Sequence, residues 1–314
     1  MRNNFKGMIQ MINHPIYEKL IEITNKQNVM VDELLSNHTY TRLGGKADIL
    51  VTPETYEEVQ AIVKLANSEM VAFTLLGNGS NLIVKDGGIR GIVMNLKKLS
   101  SIQTTSNTIV AGSGARIIDV SREALERRLS GLEFACGIPG SVGGALFMNA
   151  GAYGGEIKDV LVSTKVVDPE GNLLTLPVEE LEMDYRTSNI PEKKYIVLEA
   201  TFALQPGEYE QIKEVMDDLT FKRESKQPLE YPSCGSVFKR PPGYFAGKLI
   251  QDSALQGKQI GGAQVSLKHA GFIVNKDGAT ASEYIALIHH VQKTVDEKFG
   301  VKLEREVKII GEDA

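Results

Sequence analysis

From Phe134 to Gly155 the chain carries no charged side chain, and seven of the residues in that run are glycine. The run is long enough to raise the question of a membrane helix. Its glycines, together with Pro139 and Asn149, argue against one, because glycine and proline are the poorest helix formers. What remains is an irregular segment whose backbone lies close against something. That partner is either a flat, partly apolar ligand or the protein's own interior. The run belongs to a wider excess of glycine: 30 of 314 residues, about a tenth of the chain against a usual ~7%.

A second glycine-rich stretch, Leu75-Leu76-Gly77-Asn78-Gly79-Ser80-Asn81-Leu82, directly follows an apolar strand candidate. Successive N–H groups in such a turn form an anion-binding concavity, and glycine lets a diphosphate approach the backbone. Taken alone, the stretch is equally a tight structural turn. Two such stretches, one small domain's length apart, favour a ligand site. Between them, Gly112-Ser113-Gly114 follows a strand and precedes a helix, but Ile117 stands where a dinucleotide fingerprint needs its third glycine. No phosphate-binding loop ending in Gly-Lys-Ser/Thr occurs.

The length suggests about two domains. A net charge of −5 with no basic block gives no electrostatic footprint for a nucleic-acid backbone or an anionic membrane. Cys136 and Cys234 stand far apart in no metal or redox spacing, which excludes a disulfide scaffold and a cysteine zinc site. No signal-type apolar region opens the chain, so a cytoplasmic protein is expected, with Met8 and Met11 as further candidate starts.

The pattern predicts a leading helix over 14–35 and a strand over 47–52. Pro53 then stands at a first helical position, and Val59, Ile62, Val63 and Ala66 share one helix face. A strand over 71–76 completes a βαβ candidate. Strands follow at 82–84, 92–95 and 108–111, then a helix over 117–129, and several strands within 160–204. A charged helix over 208–223 leads to the Pro-containing segment 227–232, where a domain boundary is placed. The remainder reads as helix 246–255, strands 263–267 and 271–275, helix 281–298 and strand 301–310, a small α+β domain with a split βαβ character.

Six segments now stand in order: Thr41-Arg42-Leu43-Gly44-Gly45-Lys46-Ala47-Asp48; Gly77–Asn81; Gly137–Gly155; Tyr185-Arg186-Thr187-Ser188; Cys234-Gly235-Ser236-Val237-Phe238-Lys239; and Leu303-Glu304-Arg305-Glu306-Val307. Together they resemble the UDP-N-acetylenolpyruvoylglucosamine reductase (MurB) family, from about residue 37 to 311. The resemblance implies an α+β protein: a two-subdomain FAD-binding fold of the vanillyl-alcohol oxidase/p-cresol methylhydroxylase type plus a small substrate-binding domain. The domains would be an extension and leading helix over 1–36, the FAD-binding part over 37–226 (about 37–100 and 101–226), and the substrate domain over 227–314. It also implies the family's activity in peptidoglycan precursor synthesis, with FAD as cofactor, NADPH as co-substrate and a UDP-sugar as substrate. Gly77, Asn78, Gly79, Ser80, Asn81, Ile138, Pro139, Gly140, Ser141 and Gly144 would then hold FAD. The histidines His14, His38, His269, His289 and His290 all lie outside these loops, so non-covalent FAD is expected.

By the same resemblance Ser236 is the proton donor, Arg186 pairs with the substrate carboxylate, and Glu306 supports the acid form of the intermediate. A planar guanidinium suits a carboxylate that gains charge. Without the resemblance, Ser236 reads as a turn serine and Arg186 as a surface ion pair. Glu306 is expected on a late strand, sharing a face with Glu304. Tyr153 and Lys226 match substrate-contacting positions, against plain readings as a core tyrosine and a solvated lysine. His269 lines the sugar site or is structural, and Cys234 reads as a small filler. His289 and His290 point about 100° apart on one helix and cannot share a metal; no metal site is expected. Fifty positions separate Arg186 from Ser236, too few for the tyrosine-bearing loop of one subclass. Arg240 replaces the asparagine of the family's Phe-Lys-Asn-Pro and could serve as a phosphate or flavin ligand. Competing readings are another oxidase on the same flavin fold, or a silent nucleotide-binding protein. Oligomeric state is not inferable from the sequence.

Overall fold

The computed structural model describes residues 15–314; Met8, Met11 and His14 lie outside the described residues. Contacts divide the chain into two compact units. The first holds the residues up to Glu33, Asp48–Asn78 and Gly91–Phe221; the second holds Leu34–Ala47, Gly79–Arg90 and Lys222–Ala314.

In the first unit the helix Tyr56–Ser68 forms where the apolar spacing placed it. Val59, Ile62, Val63 and Ala66 are all buried, and Glu57 and Glu58 stand in the first turn. Its N-cap is Thr55, whose hydroxyl accepts from Glu58 N; Pro53 lies ahead of the helix rather than inside it. The strand Phe73–Leu76 follows, but it pairs in parallel with Ile89–Asn95, in register Phe73↔Ile92. The sheet order is 29–34, 46–51, 89–95, 73–76, so the anticipated βαβ unit has a third strand inserted. The leading helix is likewise shorter than expected. It ends at Ile23, and Val29–Leu34 is a strand, because Val29-Met30-Val31 favours extended backbone at the margin of this sheet.

A second sheet of five strands, 173–177, 161–167, 196–203, 108–112 and 102–105, is antiparallel at every pairing. It contains the strands expected between 160 and 204, plus the unforeseen Ile102–Thr105. The helix Ile117–Glu126 buries Ile117, Val120 and Ala124. Two large apolar clusters result among the described residues. One gathers around Ile49, Val59, Ile62, Ile92 and Met94, the other around Ile109, Val120, Leu146, Ile157 and Phe202.

In the second unit the strands Ser233–Ser236, Phe272–Asn275, Ala263–Val265 and Gln259–Ile260 form an antiparallel sheet in that order. The helix Ala281–Phe299 contributes Tyr284, Leu287, Ile288, Val291 and Val295 to the core as a single face. Thr280 and Glu283 close a capping box at its start, and Gly300 ends it in the left-handed conformation. Asp86 adds a second brace, accepting from Ala281 N, Ser282 N and the Ser282 hydroxyl. Burial pushes the Asp86 carboxyl up, but these hydrogen bonds outweigh it and the net shift is downward.

The last strand is only Lys308–Ile310, parallel to Leu82–Val84. This pairing and the Asp86 brace explain why Gly79–Arg90 clusters with the final ninety residues. The expected strand over 301–310 is interrupted because its backbone changes partners. Glu306 N donates to Val237 O, whereas Lys308 N donates to Asn81 O.

Candidate active site

The uncharged run is held by backbone. Ile117 N donates to Gly140 O (3.1 Å), Val142 N to Ala115 O (2.8 Å) and Gly143 N to Ser113 O (3.0 Å). The approach is close enough that a Cβ on Gly143 would stand 2.1 Å from the Ser113 hydroxyl. Gly112-Ser113-Gly114, discounted as a dinucleotide fingerprint, is therefore the bed on which the second loop lies. Ser141 is buried and caps the short helix Val142–Phe147, its hydroxyl accepting from Gly144 N.

The first-unit part of the other loop meets this segment directly. Asn78 Nδ2 donates to Pro139 O at 2.9 Å, and Asn95 Nδ2 holds Gly77 O at 3.1 Å. A Cβ built on Gly77 would have one heavy atom within 4 Å, the Ser141 hydroxyl at 3.2 Å. Its own surroundings do not demand glycine, so the missing side chain leaves an open backbone cradle. That is the feature a closely seated diphosphate or flavin requires.

Arg186 belongs to the same unit. It sits in a two-residue turn closed by Asp184 and Thr187, at φ 54°, in the left-handed region a non-glycine residue rarely adopts. The turn is stitched to the end of the glycine run. Arg186 Nη2 donates to Gly151 O (2.6 Å), Asn149 Nδ2 to Asp184 O (3.1 Å) and the Ser188 hydroxyl to Phe147 O (2.7 Å). The guanidinium also lies 5.1 Å from the Tyr185 ring. Tyr153 and Gly154 form the tip of the hairpin Gly151–Glu156, both at positive φ, as a two-residue turn of this twist requires. Tyr153 is about half exposed there, so the reading as a core tyrosine fails.

In the second unit, Ser236 ends a strand whose register slips: Ser233 pairs with Val274 but Ser236 with Phe272. The extra residue makes a bulge at Gly235, at φ 75°. Val237 N then donates to Gly271 O, and Val237 O accepts from Glu306 N at 2.9 Å. Ser236 and Glu306 thus ride on directly bonded neighbouring backbones. Glu306 is half-buried, and its carbonyl accepts from Asn81 Nδ2. Glu304, expected to share a strand face with it, is exposed and paired with Lys239 (2.6 Å) outside any regular strand.

His269 accepts Gly271 N on Nδ1 (3.1 Å), which places the neutral ring's proton on Nε2. Its edge meets Phe272, the partner of Ser236, with centroids 4.8 Å apart, and burial lowers its pKa. Lys268 Nζ donates to Glu224 O, bringing the end of the helix Tyr209–Lys226 to the same turn. Lys226 and Arg240 are exposed, and the Arg240 guanidinium lies 4.0 Å from the Phe245 ring. Ser80 and Asn81 also belong to this unit.

The protein from Oceanobacillus iheyensis named UDP-N-acetylenolpyruvoylglucosamine reductase is 74% identical over 302 residues, covering 96% of this chain and 98% of that one. This chain belongs to that family. The Geobacillus kaustophilus reductase is 66% identical, over 95% of this chain and 98% of its own. The model for the C-terminal domain of UDP-N-acetylenolpyruvoylglucosamine reductase matches residues 227–310, and that for an FAD-binding domain matches 47–177. The crystal structure of the reductase from Thermus caldophilus superposes with a TM-score of 0.76 at 34% identity, covering 90% of this chain and 97% of that one. A variant of Phl p 4, a glucose dehydrogenase, matches at 16% identity and a TM-score of 0.51 over 62% of this chain and 44% of its own, a likeness of fold alone.

The chain is thus an FAD-dependent member of the reductase family, an oxidoreductase with the two-subdomain flavin fold of the vanillyl-alcohol oxidase type. The cradle of Gly77, Asn78 and 138–144 fits that cofactor. Sequence reasoning named Asn78 but missed Asn95, which stands at the end of a strand without motif context. It also missed the Asn81–Glu306 bond, whose members lie 225 positions apart. No helix among the described residues is long and apolar enough to cross a membrane, and no cluster of three or more His, Cys, Asp or Glu side chains among them is arranged to hold a metal ion.

Proposed function

We propose that this reductase uses NADPH to convert the enolpyruvyl ether of UDP-N-acetylglucosamine to UDP-N-acetylmuramate, with Ser236, Arg186 and Glu306 as its catalytic residues. Bound FAD would supply the two-electron carrier between NADPH and the substrate alkene. Gly77, Asn78, Gly79, Ser80, Asn81, Ile138, Pro139, Gly140, Ser141 and Gly144 would hold it without a covalent bond. The working domains would be 37–226 and 227–314. The setting would be cytoplasmic, on the path to the cell wall; Cys136 and Cys234, neither in a disulfide, suit a reducing compartment.

When hydride adds to the methylene carbon, the alkene electron pair moves onto the neighbouring carbon and its carboxylate. Arg186 would bind that carboxylate as its charge grows. Ser236 Oγ would then give its proton to the carbon, completing the C–H bond, and would recover a proton from solvent. Glu306 would favour the protonated, acid form of the intermediate. Tyr153, Lys226, Arg240 and His269 would contact the sugar nucleotide, with the Nε2–H of His269 as a fixed donor.

The observation that carries this reading is the seat of Ser236 on a bulge whose next residue, Val237, accepts from Glu306 N, so that the two residues stand on hydrogen-bonded backbones. The test is the visible spectrum of the purified protein, anaerobically. Flavin bands that bleach with NADPH and return on adding the enolpyruvyl sugar nucleotide are expected. Bands indifferent to NADPH would overturn the assignment of co-substrate.

A further inference from the structure

Under the Ser236 strand lies a buried pair that the reaction does not use. Tyr284, fully buried in the first turn of the Ala281–Phe299 helix, donates its hydroxyl to Ile273 O at 2.5 Å. The Cys234 sulfur stands 3.3 Å from the Tyr284 hydroxyl oxygen. With the hydroxyl hydrogen committed to Ile273, the thiol is the donor. Burial raises the Cys234 pKa to about 11, so it stays protonated and able to donate.

The placement is specific. Ile273 lies opposite the bulge, between Val274 and Phe272, the register partners of Ser233 and Ser236. Cys234 lies within the bulge. One tyrosine oxygen therefore ties both strands at the point where the register slips. Nothing crowds Gly235: a Cβ there would meet no atom within 4 Å. The bulge is not imposed by packing from above, so its shape depends on what holds it from below. A bulge re-aims the side chain that follows it, here Ser236.

We infer that Tyr284 and Cys234 are positioning residues, which fix the bulged register of the 233–236 strand and thereby the aim of the Ser236 hydroxyl. This rests on Ser236 being the proton donor. Removing the tyrosine oxygen leaves the ring in the core but releases the thiol and the Ile273 carbonyl, and Ser236 drifts while substrate contacts elsewhere stay.

The experiment is anaerobic stopped-flow on the holoenzyme carrying Tyr284→Phe, Cys234→Ala, Cys234→Ser, Ser236→Ala, and Tyr284→Phe with Ser236→Ala. Reduction by NADPH should be unchanged. Reoxidation by the enolpyruvyl substrate should slow about 10–100-fold in Tyr284→Phe, with the substrate concentration for half-maximal rate unchanged, as a displaced reacting group predicts. In the Ser236→Ala background the same change should have no further effect. Cys234→Ala should lose less and Cys234→Ser, which keeps a donor, should recover most of the rate; this pair also decides the matter if Tyr284→Phe does not fold.

Equal slowing of both half-reactions, or losses that multiply with Ser236→Ala, would make the pair merely structural and overturn the inference. A slow Ser236→Ala with a normal Tyr284→Phe and Cys234→Ala would overturn it while leaving the proton donor in place. A normal Ser236→Ala would overturn both.

Discussion

The 137–149 and 233–240 segments both contain glycine turns, yet side chains carry a larger share of what holds the second. The first is fixed mainly by backbone on backbone, with 140–143 bonded through amides and carbonyls to 113–117, and no ionisable side chain within it. The second adds side-chain ties to its backbone pairing: the Tyr284–Cys234 contact below, the Lys239–Glu304 pair at its end, and Arg240 against Phe245. A surface made of backbone presents the same donors whatever the neighbouring side chains are, which suits a cofactor common to many proteins. A segment held by side chains can be re-aimed by single substitutions, which suits the part that selects and protonates a particular substrate.

Substitutions on the two sides should therefore fail differently. Ser236→Ala should keep its flavin and its reduction by NADPH while the second half-reaction falls roughly 10²–10⁴-fold in stopped-flow. Loss of flavin from that variant would erase the contrast. Arg186→Lys retains charge but not the fork, and substrate reduction should drop by about 10–100-fold, since a hydrogen bond to a charged group contributes about 1.5–3 kcal/mol. Steady-state kinetics at saturating NADPH would show it, and an unchanged rate would make Arg186 peripheral.

On the other side, Gly143→Val drives atoms into the Ser113 hydroxyl and should cost about 1–3 kcal/mol with loss of bound FAD. Absorbance at the flavin band per mole of protein is the readout, and full occupancy would remove the 113–117 bed from the cofactor site. The smallest effect concerns pH. The His269 pKa is lowered by burial from 6.5, so the unfolded chain binds the proton more readily than the folded one. Its share of stability is complete above pH ~6.5 and declines as pH falls from there toward the folded value. Urea unfolding at several pH values should show a shallower acid decline in His269→Asn, whose side-chain oxygen can still accept from Gly271 N.

What could be read in advance follows the same division. The helix Tyr56–Ser68 and the strand Phe73–Leu76 were legible because apolar spacing alone determines them, and the glycine loops because their composition is unusual for any other use. Pro53 and Thr55 both commonly open helices, and the sequence alone does not separate them; the fold caps the helix at Thr55. The strand Val29–Leu34 was hidden, since Asp32 and Glu33 break its apolar alternation and its sheet neighbour lies elsewhere in the chain. The bulge at Gly235, the Tyr284 tether and the switch of partners near Val307 are products of contacts between distant segments. No local pattern encodes them. Candidate residues were thus nameable from motifs, whereas their supports required the fold.

The interleaving of the two units bears on how the protein is made. Leu82–Val84 emerges early, but its partner Lys308–Ile310 is synthesised more than two hundred residues later. At about 5–20 residues per second the ribosome leaves that strand, and the Asp86 carboxylate beside it, waiting on the order of ten seconds or more. The first unit can gather most of its sheets in that interval, whereas the second cannot close until the Lys308–Ile310 strand has been made. A nascent chain stalled before residue 300 would expose an unpaired apolar strand, and chaperone capture should be concentrated in that window.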